Sequence, residues 1–377
     1  MKIVYLCEFS AGADGVWHSI YNAAKILARR HEIHVFSSDI VKGLETKAKN
    51  KEVIDGITIH RFPVKFRLGE NALFWSFADK LRKIKPDVIH AHVYRHPHST
   101  IAPKLAKQLG AKCFLTTHAP FVERELRGRA LNLAVDMYDK FLGKRNLNSY
   151  DKVIAITKWE QPFLLRIGCR KDKITYIPNG IPDEFAKVKL RFKKAGKKKK
   201  LLFFGRVAPI KDVETLLRAT KIVLDKGYNI ELDVVGPIEK GYESKLFNLI
   251  KELNLTRAVN FPGPVYELRK KIKLLIETEL FILPSKREGM PLALIEAMSL
   301  GCLIISSANV GASEIIKDGK NGFLFPVGNA EKLAEKIIYC LDNYKRLNRV
   351  REEAANYARK LTWSRIAEQT EQLYKKS

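Results

Sequence analysis

Short runs of β-branched and aromatic residues alternate with longer amphipathic stretches along nearly the whole chain, and this alternation constrains the fold most. Strand-length and helix-length segments in turn build parallel sheets with crossover helices. Two such series are present. Lys2 to Cys7, Glu32 to Ser37, Ile57 to Pro63, Asp87 to His92, Lys112 to Thr117 and Lys152 to Thr157 read as strands of the first, with helices such as Ile20 to Arg30 between them. Leu201 to Gly205, Ile230 to Gly236, Val259 to Pro262, Leu280 to Pro284 and Cys302 to Ser307 read as strands of the second. Between them Lys189 to Lys200 ends in four lysines, has no face to bury and reads as a solvated linker. Lys332 to Tyr344 and Tyr357 to Tyr374 have helical spacing and close the chain. The expected organisation is α/β: a doubly wound domain over residues 1–182, a basic linker over 183–200, a second doubly wound domain over 201–356 and a C-terminal helix over 357–377. Two such domains on one linker leave a cleft facing the carboxyl ends of their strands, so function is sought just after strands.

Composition narrows the class. With 46% hydrophobic and 29% charged residues in 377, the chain is globular rather than disordered. Its longest apolar runs, such as Leu280 to Pro284 and Cys302 to Ile305, are strand-sized and too short to span a bilayer. Met1 to Leu6 enter a strand pattern at once, with neither a basic leader nor a cleavage site, so a cytoplasmic location is expected. The five cysteines are dispersed, never Cys-x-x-Cys, which argues against a disulfide framework or a zinc ribbon. The net charge of +27 is uneven: residues 1–182 carry +14, 183–200 carry +7 and 201–377 carry +6. Such a field suits an anionic partner, whether nucleic acid, an acidic membrane surface or a phosphorylated substrate, and equally a lysine-rich surface of the thermophile type.

Two segments carry chemistry. After the strand Leu201 to Phe204 comes Gly205-Arg206-Val207-Ala208-Pro209-Ile210-Lys211-Asp212, then a helix from Val213. Gly205 permits a tight turn, and Arg206 and Lys211 bring two cations to a helix N-terminus whose free N–H groups favour a diphosphate. Taken alone, this is equally a loop whose Asp212 caps the helix while both cations are solvated. After Leu280 to Pro284 comes Ser285-Lys286-Arg287-Glu288-Gly289-Met290-Pro291-Leu292, with Glu296 on the following helix. Glu288 and Glu296 can line one pocket and accept from sugar hydroxyls, while the amides from Gly289 through Met290 and Pro291 to Leu292 face a phosphate.

Together the two segments, Gly-Arg-x4-Lys-Asp and Pro-Ser-x2-Glu-Gly-x6-Glu-Ala-Met, resemble family 4 of the retaining glycosyltransferases with the GT-B fold. Ile177-Pro178-Asn179-Gly180-Ile181, Asp318-Gly319-x-Asn321-Gly322 and Asp87-Val88-Ile89-His90-Ala91-His92 extend the resemblance over the whole chain. It implies two Rossmann-like domains facing across a cleft, with the C-terminal helix crossing back to the first. Arg206 and Lys211 match ligands of the donor diphosphate, Glu288 the acid that holds sugar hydroxyls, and Glu296 the acid that holds the ribose. His118, in Thr116-Thr117-His118-Ala119-Pro120, matches a histidine that faces the donor sugar; a lone histidine there otherwise packs or caps. The family's Gly-Gly-x3-His loop is matched by Asp14-Gly15-Val16-Trp17-His18-Ser19, with Asp14 in place of the first glycine and Ser19 in place of histidine. An acidic side chain beside a diphosphate has to point away, so only Gly15 keeps a phosphate-facing role.

The resemblance implies transfer of a hexose-type sugar from a UDP- or GDP-linked donor, with no metal and no cofactor. No Asp-x-Asp occurs, and His90, His92, His96 and His98 read as a strand and its loop rather than a metal site. The excess charge of the first domain suggests a lipid-linked or phosphorylated acceptor at an anionic membrane face, with Arg124, Arg127 and Arg129 as candidate contacts. Those arginines flank a helical pattern of Leu126, Ala130, Leu133, Met137 and Phe141, which either packs on a core or lies on a membrane. The aromatic stretch Pro63 to Phe77 poses the same choice. The rivals are a soluble-acceptor transferase, a sugar-nucleotide epimerase or glucan polymerase on the same fold, and, remotely, a nucleic-acid-binding protein, for which no motif is present.

Overall fold

The computed structural model describes residues 1–12, 14–42, 46–68, 72–121, 128–190 and 196–377. The chain divides into two compact units: Met1–Gly180 together with Trp363–Ser377, and Ile181–Thr362.

The first unit holds an eight-stranded sheet. Its strands are β1 (Lys2–Leu6), β2 (Glu32–Ser38), β3 (Lys51–Ile54), β4 (Ile57–Phe62), β7 (Val88–His92), β8 (Lys112–Thr116), β9 (Lys152–Ala155) and β10 (Ile174–Tyr176); β5 (Val64–Leu68) and β6 (Ala72–Trp75) form a separate hairpin. The order is β10-β9-β8-β7-β1-β2-β4-β3, parallel except for β3. Both faces of the sheet are covered, so central strands read as continuous apolar runs: all five residues of β7 are buried. Successive side chains feed opposite cores. Val4, Leu6, Ile89 and Ala91 join Phe77, Leu81 and Leu105 on one side. Ile3, Tyr5 and Val88 join α1 (Gly15–Leu27) on the other, where the C-terminal helix contributes Ala367 and Tyr374. The Tyr374 hydroxyl bonds His90 Nδ1 at 2.6 Å, tying the end of the chain to β7.

The second unit has a fully parallel sheet of β11 (Lys199–Phe204), β12 (Ile230–Val235), β13 (Val259–Gly263), β14 (Leu280–Leu283), β15 (Leu303–Ser307) and β16 (Phe323–Phe325), ordered β13-β12-β11-β14-β15-β16. All four residues of β14 are buried, whereas the edge strand β13 exposes Asn260 and Pro262.

Each strand expected from the sequence is present within a few residues of its expected ends. Short β3, β10, β16 and the β5–β6 hairpin were not expected, being too short for periodicity to register. The expected linker differs as well. Asp183–Lys187 is a short helix with Phe185 buried, and Lys199 and Lys200 already pair with Ile230 and Glu231 in the sheet; residues 191–195 lie outside the described set. The single closing helix is two, Asn348–Ala358 and Trp363–Lys376, with Thr362 between them paired to Ile181. The basic amphipathic pattern forms α2 (Arg129–Tyr138), none of whose residues is buried, and it continues through Asp139–Gly143 into Lys144–Asn148. Trp75 and Phe77 are core residues, while Phe66 and Phe74 are exposed.

Phe281 is fully enclosed in β14. Phe281→Ala is expected to destabilise the second unit by about 3–5 kcal/mol, read as a lower midpoint in urea unfolding followed by circular dichroism. A change below about 1 kcal/mol would mean that the sheet interior is not close-packed.

Candidate functional site

In the second unit, sheet growth reverses between β11 and β14, which pair directly with Leu201 opposite Leu280 and Leu202 opposite Phe281. Loops leaving neighbouring strands at such a reversal splay apart and open a crevice at the carboxyl ends. The loops here are the two motif segments, Gly205–Asp212 and Ser285–Leu292, joined by the Lys286 amide donating to the Ile210 carbonyl at 2.9 Å. Both are held from below. Gly236, after β12, has φ 146°, and a Cβ there would lie 1.8 Å from the Gly205 carbonyl oxygen. A Cβ on Gly311 would lie 2.3 Å from the Gly289 oxygen. Asn309 Nδ2 donates to the Ser285 carbonyl at 3.1 Å while its Oδ1 takes the Ala312 amide at 3.0 Å, and Ser307 Oγ donates to the same Ser285 oxygen. Gly311, Ser307 and Asn309 were not singled out from the sequence; the Asn-x-Gly start of a helix after a strand is the signal available.

Two helices begin at these loops, α3 (Val213–Asp225) and α4 (Leu292–Ser299), and neither has a side-chain cap. In α3 the Thr215 amide returns to the Asp212 carbonyl at 3.1 Å, and first-turn N–H groups not taken in this way are open to an anion. Asp212 does not cap α3 as expected: at φ 52° its carboxylate takes the Thr215 hydroxyl at 2.8 Å, and burial raises its pKa. On the other loop Pro291 has no N–H, which removes one of the amides expected between Gly289 and Leu292.

The charged groups are already paired. Lys211 Nζ lies 2.6 Å from Glu288 Oε1, with Glu288 buried and Lys211 partly exposed. One of three ammonium protons is used there. Arg206 is half-exposed and bonds Glu239 Oε2 at 2.5 Å. Glu296, 2% exposed, is paired with Lys271 of the helix Leu268–Glu277, a residue the sequence did not flag. Lys271 Nζ also sits 4.8 Å from the centre of the Phe204 ring at the end of β11. The structure thus joins Lys211 to Glu288, and gives Arg206 and Glu296 partners of their own.

The remaining candidates lie in the first unit. His118 follows β8, and both it and Ala119 are left-handed, at φ 59° and 53°. Two successive non-glycine residues in that region need external support. Buried Glu160 supplies it, accepting from the Ala119 amide at 2.8 Å, from the Thr157 amide and hydroxyl at 2.9 Å each, and from the Thr117 hydroxyl. Burial raises its pKa. The Thr157-x2-Glu160 spacing, a capping-box pattern, is the sequence signal for it.

His118 Nε2 meets His92 Nδ1 at 2.8 Å. Burial pushes the His118 pKa down to about 3 and holds His92 well below its ordinary value, so both rings are neutral and His92 sets the His118 tautomer. His118 is a hydrogen-bonding ring, not a charged one.

Asp14 caps α1, its carboxylate accepting the Trp17 amide at 2.9 Å; it turns onto its own helix, and burial raises its pKa. Gly15 opens that helix, with nothing within 4 Å of where a Cβ would stand. A carboxylate of the chain itself therefore occupies an amide that a phosphate beside Gly15 would use. Arg129 is exposed at the start of α2, and Arg124 and Arg127 lie outside the described residues. Among the described residues no group of three or more His, Cys, Asp or Glu is placed to hold a metal ion.

Comparison with known proteins assigns both units. The family described as Glycosyltransferase Family 4 matches residues 13–185, and that described as Glycosyl transferases group 1 matches residues 185–359. The uncharacterized glycosyltransferase MJ1069 of Methanocaldococcus jannaschii is 26% identical over 92% of the chain and 90% of its own length. The capsular polysaccharide biosynthesis glycosyltransferase CapM of Staphylococcus aureus is 26% identical over 81% of the chain and 79% of its own. Among solved structures, Anabaena HepE in complex with UDP and glucose superposes with a TM-score of 0.77 at 19% identity over the whole of both chains. Sucrose-phosphate synthase from Thermosynechococcus elongatus does so with a TM-score of 0.74 at 19% identity, over 100% of this chain and 98% of that one.

All nine histidines and all four tryptophans lie in the first unit. Burial holds His90, His98 and His118 near pKa 3 in the folded state, against an ordinary 6.5. Between those values the unfolded chain binds more protons, so stability is full above about pH 6.5 and falls as the pH drops. Tryptophan fluorescence is expected to report unfolding of this unit as the solution is acidified from pH 7 to 4. A spectrum unchanged to pH 4 would contradict the burial of these rings.

Proposed function

The chain belongs to the group 1, family 4 glycosyltransferases and has the GT-B fold, and from that premise we propose that it transfers a hexose-type sugar, with retention, from a UDP- or GDP-linked donor to an acceptor hydroxyl. The observation that carries the proposal is the Lys211–Glu288 pair between two uncapped helix N-termini. Lys211 keeps two N–H donors for the diphosphate, and Glu288 Oε2, with no hydrogen-bond partner among the described residues, is left to accept from a sugar hydroxyl. Arg206 adds a second cation, and Glu296, oriented by Lys271, accepts from the ribose.

The reaction proposed is a front-face substitution. The bond from the anomeric carbon to the diphosphate oxygen breaks, the acceptor oxygen bonds the same face of that carbon, and the acceptor proton passes to a phosphate oxygen of the departing diphosphate. Negative charge grows on the diphosphate as the bond breaks, and Lys211, Arg206 and the N-termini of α3 and α4 meet it without reorganising. No metal is needed in this scheme. His118, neutral and strained into place, offers a hydrogen bond rather than moving a proton.

For the acceptor we propose a lipid-linked or phosphorylated glycan precursor at an anionic membrane surface. Leu131, Leu133, Met137 and Phe141 are each more than half exposed on and just after α2, beside Arg129, Lys140, Lys144 and Arg145. Phe66 and Leu68 of β5 are exposed to a similar degree. Apolar side chains rimmed by cations match an acidic lipid interface, and among the described residues no helix is long and apolar enough to cross a membrane. The polysaccharide role printed for CapM supports a glycan product.

Calorimetric titration with UDP and GDP, without and with magnesium, is the direct test, and metal-free binding of one of them is expected. Lys211→Ala is expected to lower transfer by roughly 10² to 10³ with the fold intact; transfer within about threefold of the parent would reject the assigned role. In liposome flotation the protein should rise with phosphatidylglycerol vesicles at low salt and not with phosphatidylcholine vesicles. Failure to float with either would remove the membrane proposal.

A further inference from the structure

A pocket of about 320 Å³ opens in the first unit, lined by Trp17 and Tyr21 of α1, Ile54 of β3, and Ser10, Glu52 and Arg61. Its lining includes neither His118 nor any residue of the charged loops. Its position fits ligand binding: Ser10 lies just past the carboxyl end of β1, and Arg61 near that of β4, a parallel strand separated from β1 by β2. Its volume is at the lower end of the range for small-molecule sites, about 300–1,000 Å³.

The walls are of two kinds. The Trp17 and Tyr21 rings, with centroids 5.6 Å apart and planes at 49°, make a partly exposed aromatic corner, and Ile54 extends it. The polar side is built and rigid. Arg61, 5% exposed, donates from Nε to Ser10 Oγ at 2.8 Å, from Nη1 to the Lys49 carbonyl at 2.9 Å and from Nη2 to the Ser10 carbonyl at 3.1 Å, and pairs with Glu52 Oε2 at 2.8 Å. Glu52 Oε1 has no hydrogen-bond partner among the described residues. The guanidinium and carboxylate cancel, so the pocket has polar groups but no net charge. A second anion would meet Glu52, while a hydroxyl finds an acceptor in Oε1.

An aromatic wall opposite a fixed hydrogen-bond acceptor is complementary to a ring with one apolar C–H face and a rim of hydroxyls. We propose that this pocket is a subsite for a neutral pyranose unit of the acceptor, set apart from the sugar that carries the attacking hydroxyl. The proposal rests on the glycosyltransferase reading and refines it: the anionic part of the acceptor lies outside this pocket, and the first recognition of the acceptor is of an uncharged sugar face on Trp17.

Saturation-transfer NMR on the full-length protein tests it, with the methyl glycosides of glucose, galactose, mannose and N-acetylglucosamine, and with UDP in the same tube. At least one neutral glycoside should receive saturation on its ring C–H protons, and UDP should receive it independently. Trp17→Ala should abolish the glycoside signal, Trp17→Phe should keep it, and Glu52→Gln should weaken it, with the UDP signal unchanged in all three. Trp17 packs partly against the α1 core, so the UDP signal and the circular dichroism spectrum serve as controls for folding, and Glu52→Gln gives an independent reading should Trp17→Ala unfold. Saturation of UDP but of no glycoside, a glycoside signal that survives Trp17→Ala, or displacement of the glycoside by UDP would each overturn the subsite and leave the family assignment standing. No signal from UDP or GDP would instead strike the donor reading and the subsite with it.

Discussion

The pairing of β11 with β14 is the contact on which the charged site depends. The two strands are distant in the chain but adjacent in the sheet, and they run parallel. Parallel neighbours point their carboxyl ends the same way, so both motif loops emerge side by side, and the helices that follow them begin there. Nothing in either loop achieves this alone. β14 is apolar throughout and buried on both faces, and its register is carried by its pairing with β15 on the other side, Leu280 opposite Leu303. Below the loops, Gly236 and Gly311 allow backbone contact that no Cβ permits. The site is therefore a property of sheet order first and of side chains second.

The ion pairs in that site are better understood as stored charge than as stabilising links. Lys211–Glu288 and Lys271–Glu296 are largely withdrawn from water, where the cost of desolvation offsets most of the attraction between partners. What such a pair does provide is position. Each carboxylate is held against its lysine, and each lysine is kept near the loop. In the proposed reading, a diphosphate arriving at Lys211 meets a cation whose location is already settled, so little ordering remains for the binding step. The half-exposed Arg206–Glu239 pair is different in kind: it is screened by solvent and free to rearrange.

How much of this was legible in the sequence follows from the range of the forces involved. Strands buried on both faces show as apolar runs, so the sheets were readable, whereas β3, β10 and β16 are too short or too exposed at an edge to leave a period. Arg206, Lys211, Glu288 and Glu296 were readable because their spacing is local to a strand and its helix. Lys271 was not, since its partner Glu296 is on another helix and only the fold brings them together. Glu160 shows the intermediate case: its bonds to Thr157 are local and patterned, but its bond to the Ala119 amide, which holds His118 in place, crosses between loops. The exposure of α2 was undecidable from periodicity, because an amphipathic face looks the same whether a core or a membrane covers it.

The first unit also combines two features that net charge alone would merge. Most of the +27 lies in its half of the chain and in the basic segment after it, yet the Trp17 pocket is neutral, its one buried cation cancelled by Glu52. Charge spread over a surface acts at the range of the Debye length, about 8–10 Å in physiological salt, and raises the rate of encounter with an anionic surface or substrate. It does little to tell one sugar from another. Discrimination requires groups whose positions are fixed and whose hydrogen-bonding capacity is limited, which is what Arg61 achieves by anchoring Glu52 and Ser10 around a single unused carboxylate oxygen. A ligand lacking the matching hydroxyl would leave that oxygen desolvated and unpaired, a penalty of about 1–3 kcal/mol. In the reading proposed above, the basic surface brings the protein to an anionic face, and the neutral pocket selects among sugars of the acceptor.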